Sequence, residues 1–154
     1  MYCYEISKFK NNFDRLNSWN SYSSIAKGEV TQEEYLVTEL AYLLTIYKLV
    51  DLNKIKDFNY NCFWEHEYNY ESNYLKSSPN KSDFENVFCK ALRMEIGTHI
   101  TILDQLKIGF GWDFIVHIAS EQIINETELE FNGVKIYIYP LPEEIWKDWY
   151  ESEK

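Results

Sequence analysis

The residues best suited to chemistry in this sequence are one cysteine and two histidines. Cys89 with His99 or His117 is a candidate nucleophile and base, because a thiol becomes nucleophilic when a neighbouring imidazole takes its proton. Cys89 also falls on the apolar stripe of a predicted helix, where thiols are usually buried and inert. The short motifs of hydrolases, zinc proteases and nucleotide-binding loops are missing. We therefore expect no catalytic residue, with an uncharacterised small enzyme kept as an alternative.

A second group of residues has the types that bind metals. His66 lies between Glu65 and Glu67 and follows Cys62 by four positions. Thiolate, imidazole and carboxylate are all zinc ligands, but a structural zinc site takes four spaced ligands, and no second Cys/His pair is close in sequence. The three cysteines form no CxxC pair, which argues against a disulfide framework. We therefore expect no metal, no cofactor and reduced thiols.

The most unusual segment is aromatic and acidic. Residues 58–74 contain seven aromatic side chains and three glutamates, and they lack lysine, arginine and aliphatic residues. Tyrosine and tryptophan are the usual anchors of binding surfaces, because they bury a large area with few rotatable bonds. The alternative is a loop whose rings cover the helices. The predicted partner-binding residues in this segment are Trp64, Glu65, Glu67, Tyr68, Tyr70, Glu71 and Tyr74.

Negative charge is concentrated near the C-terminus. Residues 109–154 contain ten acidic side chains and three lysines, so they supply seven of the ten net negative charges. Glu143, Glu144 and Asp148 are predicted to form a second binding patch, because a surface of one sign steers an oppositely charged partner. The alternative is a solvated face that aids solubility, with the two glutamates favouring the dipole of a helix N-terminus.

Apolar periodicity predicts three helices in the N-terminal two thirds. The stretch Tyr4–Trp19 places apolar residues at steps of three and four, including Phe13 and Leu16. A capping box at Thr31 begins a helix that extends to Val50. A second box at Ser82 begins a third helix, which either ends at Gly97 or, as we expect, continues through Ile100, Leu103 and Leu106.

The C-terminal third has strand patterns instead. Residues 109–118 are β-branched and aromatic and predict a buried strand. Its first part, Gly109–Asp113, is either a functional loop or a chain reversal that leads into the strand. Asn132-Gly133 predicts a hairpin between alternating segments. A short helix over 143–150 follows, with Ile145, Trp146 and Trp149 facing inward. The predicted fold class is α+β: a helical N-terminal two thirds packed on a small antiparallel C-terminal sheet, with residues 1–154 as a single domain.

Composition excludes several classes of function. The chain has 154 residues, a formal net charge of −10 and a sequence pI near 4.8. Binding to nucleic acid or to an anionic membrane needs lysine and arginine to neutralise phosphate, so neither is expected. No segment approaches the roughly 20 apolar residues of a membrane span. The first seven residues also lack the features of a secretory signal, so we expect a cytoplasmic protein.

These features together resemble a known class of proteins. The chain is small and acidic, its predicted class is α+β, and its tyrosine, tryptophan and glutamate side chains are expected to be exposed. With the strand Gly111-Trp112-Asp113-Phe114, it resembles the immunity proteins of bacterial polymorphic-toxin and contact-dependent inhibition systems. The resemblance implies a stoichiometric inhibitor that neutralises a cognate toxin, commonly a basic nuclease domain. The alternative is a phage-encoded acidic nucleic-acid mimic that inhibits a host defence nuclease. The oligomeric state stays open.

Overall fold

The computed structural model describes the backbone of residues 1–56, 58–66, 69–78 and 81–150. It also describes the side chains of these residues, except for those between 63 and 78. The strands are β1 (Tyr2–Ser7), β2 (Tyr60–His66), β3 (Asn69–Ser78), β4 (Thr98–Ile102), β5 (Leu106–Phe110), β6 (Val116–Ser120), β7 (Glu128–Phe131) and β8 (Val134–Pro140). The helices are α1 (Asn12–Asn17), α2 (Ser23–Ala26), α3 (Gln32–Leu52), α4 (Lys81–Leu92) and α5 (Glu143–Tyr150).

The described strands form one antiparallel sheet of eight strands in the order β3-β2-β4-β5-β6-β1-β8-β7. Strand β1 lies inside this sheet, where it pairs with β6 on one side and with β8 on the other. The N-terminal segment therefore joins strands that are more than 100 residues away in sequence. This pairing joins the N-terminus of the chain to its C-terminal third.

The sheet has two faces with different coverings. On the core face, side chains such as Ile6, Ile108 and Ile118 pack with the buried residues of α3 and α4 in one cluster. On the second face, α5 packs through Trp146 against Cys3 and Ala119 in a smaller separate cluster. Because strand side chains alternate, β1 and β6 contribute to both clusters. The main hydrophobic core consequently lies between the sheet and the two longer helices.

The longest helix begins and continues as the sequence predicts. Thr31 is the N-cap of α3, and its hydroxyl oxygen accepts a hydrogen bond from the Glu34 N–H at 3.1 Å. The helix extends over 21 residues to Leu52, slightly beyond the predicted end. The Asn132-Gly133 hairpin is also confirmed: Phe131 pairs with Val134, and both turn residues have the positive φ of a type I′ turn. Helix α5 lies at the predicted 143–150.

The predicted helix over Tyr4–Trp19 is wrong. Its first residues form the buried strand β1, and the remainder contains only the six-residue α1. Tyr4 and Ile6 face the core, whereas Glu5 between them faces the other way, which is a period of two. Pairing on both sides satisfies the backbone of this segment as a helix would, and the helices on the two faces of the sheet cover Ile6 and Cys3. Tertiary pairing therefore overrides a helical spacing that arises by coincidence.

The predicted continuation of the third helix through Gly97 is also wrong. Helix α4 begins at Lys81, before the predicted box, and ends at Leu92. Residues 98–110 form the β4–β5 hairpin, whose turn has positive φ at Leu103 and Asp104. The apolar residues of this segment alternate toward the core face of the sheet, so they fit a strand better than a helix.

The predicted fold class is therefore corrected. Strands occur from β1 to β8 along the described chain and include residues 60–66 and 69–78, so the N-terminal two thirds is not purely helical and the sheet is neither small nor confined to the C-terminus. The predicted strand over 109–118 is two strand segments separated by a turn, in which the Gly111 N–H donates to the Ile115 carbonyl. What holds from the prediction is a mixture of helices and an antiparallel sheet.

A buried tyrosine joins α3 to this turn. The Tyr42 hydroxyl donates to the Phe114 carbonyl at 2.5 Å and accepts from the Lys8 N–H at 2.7 Å. We expect Tyr42→Phe to lower the free energy of unfolding by about 2 kcal/mol, because both backbone groups lose this partner away from water. Urea denaturation followed by circular dichroism measures the change. Tyr139→Phe is the control, since its hydroxyl bonds the exposed Lys10 carbonyl, and a loss as large there would contradict the explanation.

Candidate partner-binding surface

The predicted aromatic and acidic segment lies at one edge of the sheet. Its members Trp64 and Glu65 are in β2, and Tyr70, Glu71 and Tyr74 are in the edge strand β3. Glu67 and Tyr68 lie outside the described residues, as do the side chains of the whole group. The described part of this segment forms strands and not a loop. The two of its rings with described side chains, Phe58 and Tyr60, do pack on the helices as the alternative expects, because both contact Phe84 of α4.

Register shows which end of the sheet this segment occupies. Trp64 is the Cα partner of Thr98, at the start of β4, and Phe110 at the end of β5 pairs with Val116 at the start of β6. The described end of β2 is therefore at the same end of the sheet as the turn between Phe110 and Val116. Trp64 of the predicted segment and the turn over 111–114 thus belong to one end of the sheet.

The second predicted patch lies on α5. Glu143, Glu144 and Asp148 are all exposed on this helix. The Lys147 ammonium lies 2.7 Å from the Glu143 carboxylate, and this hydrogen bond lowers the pKa of Glu143. The helix is held on the second face by Trp146, so its acidic side chains are directed away from the sheet.

The structure reveals a group of exposed apolar side chains at the same end of the sheet. We call Phe13, Leu16, Trp112 and Trp149 the aromatic end surface; their exposed fractions are 73%, 83%, 74% and 56%. Exposed side chains of this size cluster at interaction sites more often than on plain protein surface. The group consequently has the composition of a binding surface. This holds whether or not the residues of β2 and β3 take part in binding.

Two contacts bring the parts of the aromatic end surface together. The Arg15 Nε of α1 lies 3.2 Å from the Asp113 carboxylate, which follows Trp112 in the turn. On the other side, the Trp149 ring packs on His117 with centroids 4.6 Å apart, and His117 Cε1 would lie 3.3 Å from a Cβ atom placed on Gly111. The turn that carries Trp112 therefore contacts α1 through Asp113, and its Gly111 lies beside His117, on which the Trp149 ring of α5 packs.

Sequence reasoning placed these four residues in the interior. Phe13 and Leu16 were expected on the buried stripe of a helix, Trp112 in a buried strand and Trp149 on the inner face of the C-terminal helix. The predictions of burial are wrong for Phe13, Leu16 and Trp112. Trp149 faces the sheet as predicted, because its ring packs on His117, but its side chain stays 56% exposed. The signal that could have revealed α1 is the alternation in Tyr2–Ser7, since a strand there leaves too few residues for a long amphipathic helix.

The candidate reactive residues do not form a site. Cys89 on α4 packs at the core face, whereas His117 faces α5 on the opposite side of the sheet. Burial, followed by the nearby Glu39 carboxylate, raises the pKa of Cys89 to about 12, so the thiol stays protonated near neutral pH. Burial and then Lys107 lower the pKa of His99. Across the residues with described side chains, no three metal-binding groups converge.

Comparisons of the chain with protein-family models, with curated proteins and with solved structures gave no significant match in any of the three cases. Within the described part of the chain, none of the helices combines the length and apolar character that a membrane crossing needs.

Proposed function

We propose that this protein is a stoichiometric inhibitor of the immunity type, which binds and neutralises a basic protein, such as a toxin nuclease domain, in the cytoplasm. The observation that carries the proposal is the exposure of Trp112 and Trp149 beside an acidic helix. The rings supply apolar area for a long-lived complex, and the carboxylates around them select a partner of opposite charge.

The charge of the chain argues for a basic partner. Two copies that each carry a net charge of −10 repel each other, so self-association through the aromatic end surface is opposed by electrostatics. A basic partner gains from the same field, which accelerates its diffusional encounter. Exposed rings on an acidic protein are thus best explained by a positively charged partner surface.

The distribution of the carboxylates favours a protein partner over imitation of nucleic acid. Glu143 lies 2.7 Å from Lys147, and Glu128 lies 4.0 Å from Lys135, so two of the acidic side chains have a lysine beside them. A surface that imitates phosphates would present regular, uncompensated negative charge. Apolar rings next to partly compensated carboxylates instead have the composition of a protein interface.

The reading frame adjacent to the one that encodes this chain supplies the test. We expect its product to end in a basic domain that stops bacterial growth when expressed alone, and co-expression of this chain to restore growth. Purified together, the two should form a 1:1 complex by light scattering. Persistent growth arrest with this chain in excess, together with no complex at micromolar concentrations, would overturn the proposal.

Neutralising the carboxylates of α5 distinguishes the electrostatic acceleration of binding from the apolar contacts that slow dissociation. The triple variant Glu143→Gln, Glu144→Gln, Asp148→Asn should associate with this basic domain about tenfold more slowly at low salt, while its dissociation rate changes less than twofold. Stopped-flow fluorescence at several salt concentrations measures both rates.

A matched variant controls for net charge alone. Asp51, Asp104 and Glu126 are exposed and lie away from α5: Asp51 at the far end of α3, Asp104 in the β4–β5 turn at the end of the sheet opposite to Trp112, and Glu126 in the loop that crosses the core face. The triple variant Asp51→Asn, Asp104→Asn, Glu126→Gln removes the same charge and should slow association far less. Equal slowing by both triple variants would place the steering in the overall charge and not in α5.

A further inference from the structure

The contact that holds the end of α5 is made on a glycine. Gly109 in β5 is the cross-strand neighbour of His117 in β6, and both belong to the second face. The Tyr150 ring lies directly on Gly109, so that a Cβ atom at this position would overlap the ring. We call this place the glycine slot. Its backbone φ is not in the left-handed region, so the requirement for glycine comes from the ring above it and not from the backbone.

The walls of the glycine slot contact both the ring and the hydroxyl group of Tyr150. His117 Nδ1 and the Tyr150 hydroxyl oxygen are 2.8 Å apart, within hydrogen-bond distance. The rings of His99 and Trp146 lie near the same phenol, with centroids 6.4 Å and 4.5 Å from it. His117 therefore contacts two neighbouring residues of α5, because its ring also packs against Trp149.

Helix α5 is attached through a cluster that is distinct from the main core. It follows Pro140-Leu141-Pro142, and its buried side chain Trp146 packs in the small cluster on the second face. The main cluster lies on the other face and includes none of these side chains. Release of α5 would consequently leave the main core intact, as is typical of elements that open locally.

We infer that Tyr150 is a positioning residue: its ring, seated in the glycine slot between His99 and His117, fixes α5 and thereby presents Trp149 and Asp148 to the partner. This inference rests on the proposed function and adds to it the side-chain contact that holds the binding surface in place. It predicts that α5 can be released while the remainder of the protein stays folded.

Gly109→Ala tests the contact between Tyr150 and Gly109, because the added methyl group occupies the glycine slot. Hydrogen exchange of the free full-length protein should be at least tenfold faster in residues 143–150 and within twofold of the wild type in α3. The indole N–H resonance of Trp149, assigned by its loss in Trp149→Phe, should move toward the position of an unstructured peptide.

Two further variants distinguish positioning from general destabilisation. Tyr150→Phe keeps the ring in the slot and should retain most of the protection of α5 and most of the affinity for the partner. In a Tyr150→Ala background, Gly109→Ala should add little, because the two changes act through the same contact. Faster exchange of α3 and α5 together in Gly109→Ala, or unchanged exchange of α5, would overturn the inference.

The exchange experiment uses the free protein and so does not depend on the partner. If α5 is released in Gly109→Ala and the affinity for the partner is unchanged, the link between α5 and binding is refuted. If hydrogen exchange of α5 in Gly109→Ala is as slow as in the wild type, the role of Tyr150 is refuted. Failure to find a partner that forms a 1:1 complex would refute the proposed function and leave the exchange result standing.

Discussion

Arg93→Ala is expected to lower the free energy of unfolding by about 3 kcal/mol, at the lower end of the range for a broken buried ion pair. The guanidinium donates two hydrogen bonds to the Glu39 carboxylate, at 2.7 Å and 2.6 Å. Glu39 is only 5% exposed, so removal of the arginine leaves a buried carboxylate without its positive partner. The expected loss is moderated because Arg93 itself is partly exposed to solvent.

The measurement is urea denaturation at neutral pH, with Arg15→Ala as the matched control. Arg15 also pairs with a carboxylate, but both partners of the Arg15–Asp113 pair are about a third exposed, and a pair of this kind contributes less than about 1 kcal/mol. Replacing Glu39 and Arg93 together by methionine should recover most of the loss, because no unpaired charge then remains. A loss for Arg93→Ala no larger than for Arg15→Ala would contradict the explanation.

The second large effect concerns the aromatic end surface. Trp149→Ala and Trp112→Ala are each expected to weaken the complex with the basic partner by 30- to 1,000-fold, which corresponds to about 2–4 kcal/mol at a binding hot spot. The loss should appear in the dissociation rate, because the rings act after the encounter that charge has accelerated. Because both rings are mostly exposed, the isolated variants should unfold at nearly the wild-type urea concentration.

An apolar residue elsewhere on the surface provides the comparison. Leu36 is exposed on α3, on the side of the sheet opposite to α5, and Leu36→Ala should change the affinity less than threefold. Isothermal titration calorimetry with all three variants measures the contrast. Affinities for both tryptophan variants within threefold of the wild type would remove the aromatic end surface from the interface.

The parts of the fold that sequence reasoning predicted correctly are determined by neighbours in the chain. The Thr31 cap, the Asn132-Gly133 turn and the short helix at 143–150 each depend on hydrogen bonds or φ preferences within a few residues. The placement of Glu143, Glu144 and Asp148 on an exposed helix surface follows from the same local signals.

The errors arise where an apolar spacing fits more than one structure. Ile6, Phe9 and Phe13 are separated by three and four residues, but Ile6 belongs to a strand, Phe9 is buried beyond the strand's end and Phe13 is exposed on α1. Their helical spacing could not be distinguished from a coincidence without the partner strands. The same ambiguity extended the third helix across Gly97 into the β4–β5 hairpin.

Composition determined the acidic charge of this protein. Local sequence determined its helix cap at Thr31 and its turn at Asn132-Gly133, because each of these depends on residue types a few positions apart. The tertiary structure decided that residues 2–7 form an interior strand and that Trp112 and Trp149 remain exposed. Burial depends on which distant segments cover a side chain, and those segments are brought together by pairings across more than 100 residues. The candidate binding surface is thus a product of long-range packing on locally encoded elements.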